Sequence, residues 1–435
     1  MCSSNKIKIW LKIKIWFLLV ISGAFFITGV YADDNDDIKL EADYILSCQY
    51  TSDASSDAYG AINNVYGKPT WVVPGENAVA IMGLLRASEV LGDDLYRQKA
   101  NLAADYLLRM QASDGAWYDE YDYDKPDNHP DKSLRHTAEV MIAFDKLGYR
   151  PARYGAMKKA AEFLLSCQNS NNKKGNDDGL VGGGKYWSEE NSSYKYHTWR
   201  WTSDNAYAYQ ALMAAARWAE IAGDTADARK YKTAANKIKS GLETVLLTSS
   251  GDHWVRVVDE NDEVVGSEDR GDWISYAPVM LDVPVEGVNG NRVGQWIHNT
   301  LQINDSNSPY CGALVWDDTL YPDKKSPGYS FQAMLVWLDT GQNNYSQYAL
   351  EWAVNSGLWQ RTTDDNHIKG GWIDWVDDNG NTPLWWERFI DTSAYFIMVK
   401  TGGYDFSPIP EPSTLLIFSS GLFLFGFSIR KRNKD

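Results

Sequence analysis

A carboxylate at the start of a predicted helix offers the clearest chemistry in this sequence. Asp204 opens a helix predicted over 203–222 and follows Trp199 and Trp201 in the preceding loop. Thr202, Ser203 and Asp204 can each accept a backbone N–H at a helix N-terminus, where the helix dipole favours negative charge. Asp204 is therefore a candidate reactive carboxylate, and a purely structural role as a helix cap is the alternative.

Four further acidic residues occupy similar places. Glu76-Asn-Ala repeats the Asp204-Asn-Ala pattern, and Asp272, Glu387 and Asp391 lie near the starts of two other predicted helices. Hydrolysis of a glycosidic bond needs one protonated carboxyl and one ionised carboxylate. Crowding in a dry cleft raises the pKa of one member of such a pair. We predict Asp204 as an essential carboxylate with Asp272 or Glu387 as its partner, and Glu76 and Asp391 as substrate-binding residues.

Aromatic residues are concentrated in the same predicted loops. The chain has 19 Trp and 26 Tyr, and indole faces can stack on sugar rings. We therefore predict that a sugar-binding cleft is lined by Trp71, Trp117, Trp199, Trp201, Trp273, Trp316, Trp372 and Trp386. His136, in the first turns of another helix, is also predicted to bind substrate. The alternative is a structural role as a core histidine whose ring nitrogens are hydrogen-bonded within the protein.

An internal repeat indicates how these residues are positioned. Residues 42–49, 104–111 and 161–168 are near copies of one amphipathic pattern, about sixty residues apart, which fits two helices per unit. Short loops marked by glycine alternate with long aromatic loops, so antiparallel hairpins place all long loops at one end. The even-numbered helices, richer in small and apolar residues, form the predicted inner ring. Twelve helices are predicted, over 36–50, 75–92, 94–111, 132–147, 151–168, 203–222, 225–247, 272–281, 291–303, 328–340, 343–356 and 389–400.

This organisation resembles the (α/α)6 toroid of the six-hairpin glycosidases. The matching motifs lie at 113–117, 202–206, 274–279 and 386–391. The resemblance implies an all-α toroid over 33–406, with one small β-hairpin insertion at 253–267. It also implies a glycoside hydrolase with a Trp-rich cleft at the N-terminal ends of the inner helices, acting on a polysaccharide or oligosaccharide.

Two other functions remain open. A polysaccharide lyase on the same fold would need a basic clamp for a uronate carboxylate and a Tyr or His base, for which Arg135, His136, Arg200 and Arg388 are candidates. A non-catalytic surface or matrix protein would bind glycan without turning it over. Several carboxylates in the central cleft would favour the hydrolase, and a basic cluster at its floor would favour the lyase.

The two ends of the chain carry targeting signals. Lysines followed by an apolar run and a small residue predict a secretory signal peptide over 1–32. At the other end, Pro410-Glu411-Pro412 precedes an apolar run at 415–429 and a basic end. This tail, 407–435, resembles the PEP-CTERM sorting signal of Gram-negative bacteria. The resemblance implies cleavage by an exosortase and delivery to the cell surface or extracellular matrix.

The apolar run in the tail is short for a transmembrane helix. About fifteen residues rise roughly 22 Å as a helix, against a hydrocarbon core of roughly 30 Å. We predict transient membrane insertion through this tail, with a simple C-terminal anchor as the alternative.

Charge and composition exclude several partners. The chain has 42 basic and 58 acidic residues, a formal charge of −16, and the two signals carry mostly basic charge. Such an acidic protein is unsuited to nucleic acid and to polyanionic substrates. No Cys/His cluster has the spacing of a metal site. We predict no cofactor and no metal, and we expect a monomer.

Overall fold

The computed structural model describes residues 34–64, 71–122, 130–170, 178–266, 271–317, 321–359, 369–382 and 388–406. Within these ranges the chain forms twelve α-helices. They are α1 (Asp34–Ser47), α2 (Pro74–Leu91), α3 (Asp94–Met110), α4 (Leu134–Leu147), α5 (Pro151–Ser170), α6 (Thr202–Ala222), α7 (Thr225–Gly241), α8 (Ala277–Met280), α9 (Gly290–Thr300), α10 (Pro327–Asp339), α11 (Asn343–Asn355) and α12 (Ile390–Lys400).

The even-numbered helices form a closed inner ring. Each contacts the next in the order α2, α4, α6, α8, α10 and α12, and α12 returns to contact α2. The odd-numbered helices pack outside this ring. Small side chains on α6, such as Ala208, Ala211 and Ala215, are completely buried and permit close helix approach. The predicted (α/α)6 toroid is confirmed.

A repeated glutamine fixes each of four outer helices to its successor. Gln168 Nε2 donates to Gly179 O at 2.6 Å in the following loop and to Ala234 O at 3.1 Å on α7. All four loop glycines have positive φ, and an added Cβ would overlap a backbone carbonyl of the next outer helix. The equivalent pairs join Gln49 to Gly60 and Lys99, Gln111 to Gly115 and Ala156, and Gln302 to Gly312 and Tyr345. The sequence repeat therefore encodes a structural contact.

Short antiparallel strands shape the loops at the N-terminal ends of the inner helices. The strands are β1 (Trp71–Val72), β2 (Trp117–Tyr118), β3 (Tyr121–Asp122), β4 (Lys132–Ser133), β5 (Gly184–Ser188), β6 (Ser193–Tyr196), β7 (Arg200–Trp201), β8 (Val257–Val258), β9 (Val315–Asp317), β10 (Tyr321–Lys325), β11 (Trp372–Ile373) and β12 (Arg388–Phe389). A four-stranded sheet has the order β2-β4-β5-β6, and the other strands pair as β1-β3, β7-β8, β9-β10 and β11-β12.

Three local predictions need correction. The hairpin predicted at 253–267 is present but shorter: Val258 bridges Val264, the Asp259 N–H donates to Glu263 O and the Val265 N–H to Val257 O, while β8 also pairs with β7. Helix α7 ends at Gly241 and continues as a π-helical turn, Leu242–Leu246. The helix predicted at 272–281 is divided into a 3-10 turn, Trp273–Tyr276, and the single turn of α8. Strands of two to five residues are too short to show alternating polarity, so tertiary contacts decide them.

The two terminal signals, 1–32 and 407–435, lie outside the described residues. None of the helices in the described ranges is long and apolar enough to cross a membrane.

The glutamine contacts generate a stability prediction. Gln168→Ala removes both hydrogen bonds of the side chain and leaves the buried Gly179 carbonyl without this donor, which costs roughly 1–3 kcal/mol for such a group, while Ala234 O keeps its partner within α7. We expect a loss of about 2–4 kcal/mol in the free energy of unfolding, measured by urea denaturation. The control is Gln347→Ala on the exposed face of α11, where the side chain donates to Glu351 and to no other described residue. Equal losses in the two variants would contradict this role for Gln168.

Candidate active site

The inner helices present polar side chains at one common level. Asn77 Oδ1 accepts the backbone N–H of Ile62 at 2.9 Å, and Asn205 Oδ1 accepts that of Val181 at 2.8 Å. The hydroxyls of Thr137 and Ser330 accept loop N–H groups in the same way. These bonds fix the first turns of four inner helices, α2, α4, α6 and α10, against their preceding loops. The residues one position earlier are Glu76, His136, Asp204 and Tyr329, and Asp391 opens α12 at the corresponding place.

A buried network of charges on α4 lies at the centre of this level. Glu139 is 1% exposed. Its Oε1 accepts Arg135 Nε–H at 2.9 Å, and its Oε2 lies 3.0 Å from His136 Nδ1. The other ring nitrogen of His136, Nε2, lies 3.3 Å from Asp119 Oδ1. One carboxylate therefore holds two cationic side chains together in the first turns of a helix.

The contacts within this network set the pKa values of Glu139 and His136. Burial opposes the charge on Glu139, yet Arg135 and His136 together hold its pKa below the usual value. Burial also opposes the charge on His136, but its bonds with Asp119 and Glu139 raise the pKa of His136 to about 9. His136 is therefore an imidazolium at neutral pH and has no lone pair with which to act as a general base.

Helix α2 approaches this network through a glycine. A Cβ added to Gly75 would overlap the carboxylate of Glu139 and the ring of His136. Pro74 precedes it as the first residue of the helix, where a missing N–H costs nothing. The small residue at position 75 thus brings the next one, Glu76, beside the charges of α4.

Three carboxyl groups from three helices lie within electrostatic reach of Arg135. Burial, and then the nearby Asp391, raises the pKa of Glu76 well above its usual value. Burial raises the pKa of Asp204 to about 6, although Arg135 opposes the shift. Burial likewise raises the pKa of Asp391, whose Oδ1 accepts the Thr392 N–H at 2.7 Å. Glu76 Oε2 is buried and has no hydrogen-bond partner among the described residues.

Aromatic rings form the walls around these groups. The guanidinium of Arg135 lies 4.5 Å from the ring centroid of Trp273 and 5.7 Å from that of Tyr207. The rings of Trp199 and Trp201 lie 6.1 Å apart, and Trp199 is 48% exposed. These contacts place an ionised floor and aromatic walls at the same end of the toroid.

A glycine in the loop before α6 lies beside Asp204. A Cβ at Gly183 would meet Asp204 Oδ2 at 3.5 Å and Trp201 at 3.7 Å. The backbone of this loop is therefore separated from the carboxylate by little more than one methyl group.

The structure brings several predicted residues together. Glu76, His136, Asp204 and Asp391 share one electrostatic environment, with Trp201 and Trp273 at its walls. Trp71, in β1, donates its indole N–H to Glu120 Oε2 at 2.7 Å at the same end of the toroid. The roles assigned to these residues stay predictions.

Asp272 has structural contacts of its own. Its Oδ1 accepts the Ile274 N–H at 2.8 Å and so caps the 3-10 turn, while its Oδ2 lies 2.6 Å from Arg256 Nε. Both carboxylate oxygens are engaged, which distinguishes Asp272 from Glu76. The other predicted partner, Glu387, and also Trp386, lie outside the described residues. Trp316 has its backbone in β9, and its side chain is not among those described.

Two tryptophans predicted to bind substrate belong to the core, so that prediction is wrong. Trp117 and Trp372 are both 0% exposed. Trp117 donates its indole N–H to Leu107 O at 2.8 Å, and Trp372 stacks on Trp359 with centroids 4.9 Å apart. Both tryptophans lie in short strands that turn inwards to pack on the helices, so a place in an aromatic loop did not imply exposure. Arg200, a candidate clamp for a lyase, is 2% exposed and paired with Asp178 and Asp262.

Sequence reasoning missed the role of Glu139 and of Asp119. A signal for Glu139 was available, because residues three and four positions apart share a helix face. That spacing places Glu139 beside both His136 and Arg135. No comparable signal identified Asp119, which lies in a turn between two short strands.

The raised pKa of Asp204 predicts a dependence of stability on pH. In the folded protein the pKa of Asp204, about 6, lies above the ordinary 3.8. Part of the free energy of unfolding that is present below pH 4 is therefore lost as pH rises through 6. The loss is about 3 kcal/mol, since each pKa unit corresponds to roughly 1.4 kcal/mol. The side chain of Asp204→Asn does not titrate, so the variant does not show this loss. Its free energy of unfolding relative to wild type should therefore increase by about this much between pH 4 and pH 8.

Urea denaturation at the two pH values measures the gain, with the exposed Asp57→Asn as control. A constant difference between wild type and Asp204→Asn at both pH values would contradict the burial of an ionisable group.

The tail matches a known family. Residues 408–432 match the PEP-CTERM protein-sorting motif, which confirms the predicted sorting signal and indicates export to the surface of Gram-negative bacteria. No curated protein sequence matches the chain significantly.

Solved structures share the fold at low identity. An α-amylase from Clostridium perfringens aligns with a TM-score of 0.58 and 12% identity, covering 86% of this chain and 99% of that chain. Cellobiose 2-epimerase from Bacillus thermoamylovorans aligns with 0.58 and 11%, covering 83% and 98%. A D-mannose isomerase aligns with 0.58 and 13%, covering 85% and 98%. The chain therefore has the six-hairpin toroid fold of these carbohydrate-active enzymes and ends in a PEP-CTERM sorting motif.

Proposed function

We propose that this protein is an exported glycoside hydrolase that acts on a neutral or weakly charged polysaccharide or oligosaccharide. The observation that carries the proposal is the group of buried carboxyls, Glu76, Asp204 and Asp391, around a single guanidinium. Burial raises the pKa of both groups, that of Glu76 well above its usual value and that of Asp204 to about 6, so we assign the acid to Glu76 and the base or nucleophile to Asp204. Glycosidic hydrolysis requires this division between an acid and a base or nucleophile.

Each group then has a role. Glu76, whose Oε2 lacks a partner in the described residues, donates its proton to the glycosidic oxygen as the bond breaks. Asp204 activates water or attacks the anomeric carbon. The negative charge of ionised Asp204 also stabilises the positive charge that develops on the sugar ring.

The walls and floor of the cleft position the sugar. Trp201 and the exposed Trp199 offer stacking surfaces next to Asp204. Arg135, held through Nε by Glu139, directs its remaining N–H groups at sugar hydroxyls. A substrate held in this way reacts without further reorganisation of the charged floor.

Two alternative chemistries receive less support. A lyase needs a free basic clamp, but of the arginine candidates whose side chains are described, Arg135 is paired with Glu139 and Arg200 with two aspartates. Epimerases and isomerases of sugars abstract a proton next to a carbonyl, and a histidine that does this must have an unprotonated ring nitrogen. His136 is held as a cation by Glu139 and Asp119, so it does not meet that requirement.

Turnover by variants tests the assignment. Once a substrate is found among neutral glycans, Glu76→Gln and Asp204→Asn should each lower kcat by roughly 10²–10⁴-fold while binding persists. Asp272→Asn is the comparison: it breaks the ion pair with Arg256, so we expect lower stability and a smaller effect on kcat. Binding without turnover by the wild type would establish a glycan-binding protein, and an unsaturated product would establish a lyase.

The ionisation states predict the pH profile of the rate. Asp204 must be ionised, so kcat/KM should rise as pH passes through about 6. Glu76 must be protonated, so the rate should fall again at higher pH. Glu76→Gln should remove the falling limb from the residual activity, whereas a rate independent of pH between 5 and 7 would contradict the role of Asp204.

A further inference from the structure

Helix α12 connects the two ends of the toroid. Asp391 in its first turn is one of the three buried carboxyls of the candidate site, with Glu76 and Asp204. Lys400 ends the helix at the opposite end, where its amine lies 3.5 Å from Asp37. Eleven residues of α-helix rise about 16 Å. The chain after Lys400 therefore starts on the face opposite the cleft.

Residues 401–406 are packed against that opposite face. Arg86, in the second half of α2, donates to Thr401 Oγ1 at 3.0 Å and to Thr401 O at 2.9 Å. The Phe406 N–H donates to Asp282 Oδ2 at 3.3 Å, and the Phe406 side chain is 2% exposed. These bonds fix the point from which the tail leaves the domain.

The same face is acidic and concave. A cavity of about 820 Å³ opens between the C-terminal ends of the inner helices and residues 402–405. Its charged lining has four carboxyl groups and two cations: Glu89, Asp282, Asp339, Asp405, Arg86 and Lys146. Anionic lipid headgroups repel such a surface, so this face does not lie flat on a bilayer.

We infer that the tail holds the toroid above the membrane with its carboxylate cleft directed away from the lipid. The sorting motif begins at 408, two residues after Phe406. The eight residues 407–414 before the apolar run reach at most about 28 Å when extended. A domain of this length is about 50 Å across. The tether is too short to pass around the domain and bring the cleft to the bilayer.

This orientation selects the substrate class, and this step rests on the proposed hydrolase function. Glycan chains in solution or in the surrounding matrix reach the cleft of the tethered protein. Glycans linked to lipid in the same membrane do not. The protein is therefore active on matrix polymers both before and after removal of its tail.

Energy transfer tests the orientation without any substrate. The full mature chain is placed in phosphatidylethanolamine–phosphatidylglycerol vesicles that carry an acceptor dye on lipid headgroups. Donor dyes are attached at Glu190→Cys, in the loop between β5 and β6 at the cleft end, or at Asp94→Cys, next to the turn between α2 and α3. Cys311 is first replaced by Ser, since Cys48 and Cys167 are buried.

The donor at position 94 should transfer energy several-fold more efficiently than the donor at 190. Vesicles without acceptor are the control for changes in donor yield. Equal efficiencies, the reverse order, or a chain that does not bind vesicles would overturn the inference.

A second measurement tests the substrate class. Vesicle-bound protein should cleave a soluble glycan as fast as the same protein in detergent, and should cleave that glycan at least tenfold more slowly when it is linked to lipid in the same vesicle. Equal rates on both forms would overturn the substrate assignment. If no glycan is cleaved at all, the hydrolase proposal fails, while the energy-transfer result still decides the orientation.

Discussion

The charge state of the cleft depends on the buried carboxylate of Glu139. It bonds Arg135 and His136 at once, and without these two cations its burial would be very unfavourable. The two cations in turn oppose the raised pKa values of neighbouring carboxyls such as Asp204. The network thus keeps several acidic groups close together without excessive repulsion, which is the arrangement that acid–base chemistry on a glycosidic bond requires.

The toroid supplies the geometry for this network. Side chains such as Asn77 and Asn205 fix the inner helices to their loops. The residues immediately before them, Glu76 and Asp204, therefore lie at the same end of the toroid. Outer helices are fixed to one another by glutamines such as Gln168. Because the N-termini of the inner helices converge, carboxyl groups distant in sequence lie in one site. The tail is attached at the opposite face, beside the C-terminal ends of the inner helices.

The sequence predicted the architecture better than the site. Repeated amphipathic patterns are local, so helix positions and the inner ring followed from them, and Asp204, Glu76 and Asp391 were placed together for that reason. Side-chain exposure depends on tertiary packing, which is why Trp117 and Trp372 were wrongly predicted to bind substrate. The contacts of Asp272 with Arg256 also arise between segments that no local pattern relates.

The titration of His136 tests this account most directly. In protein labelled at histidine, NMR spectra across the pH range report the protonation of each ring, and His136→Gln identifies the signal. The account predicts a pKa near 9 for His136, falling substantially in Glu139→Gln because the partner charge is lost. A His136 that titrates near the ordinary 6.5 in the wild type, with no change in the variant, would contradict the central role of the Glu139 network.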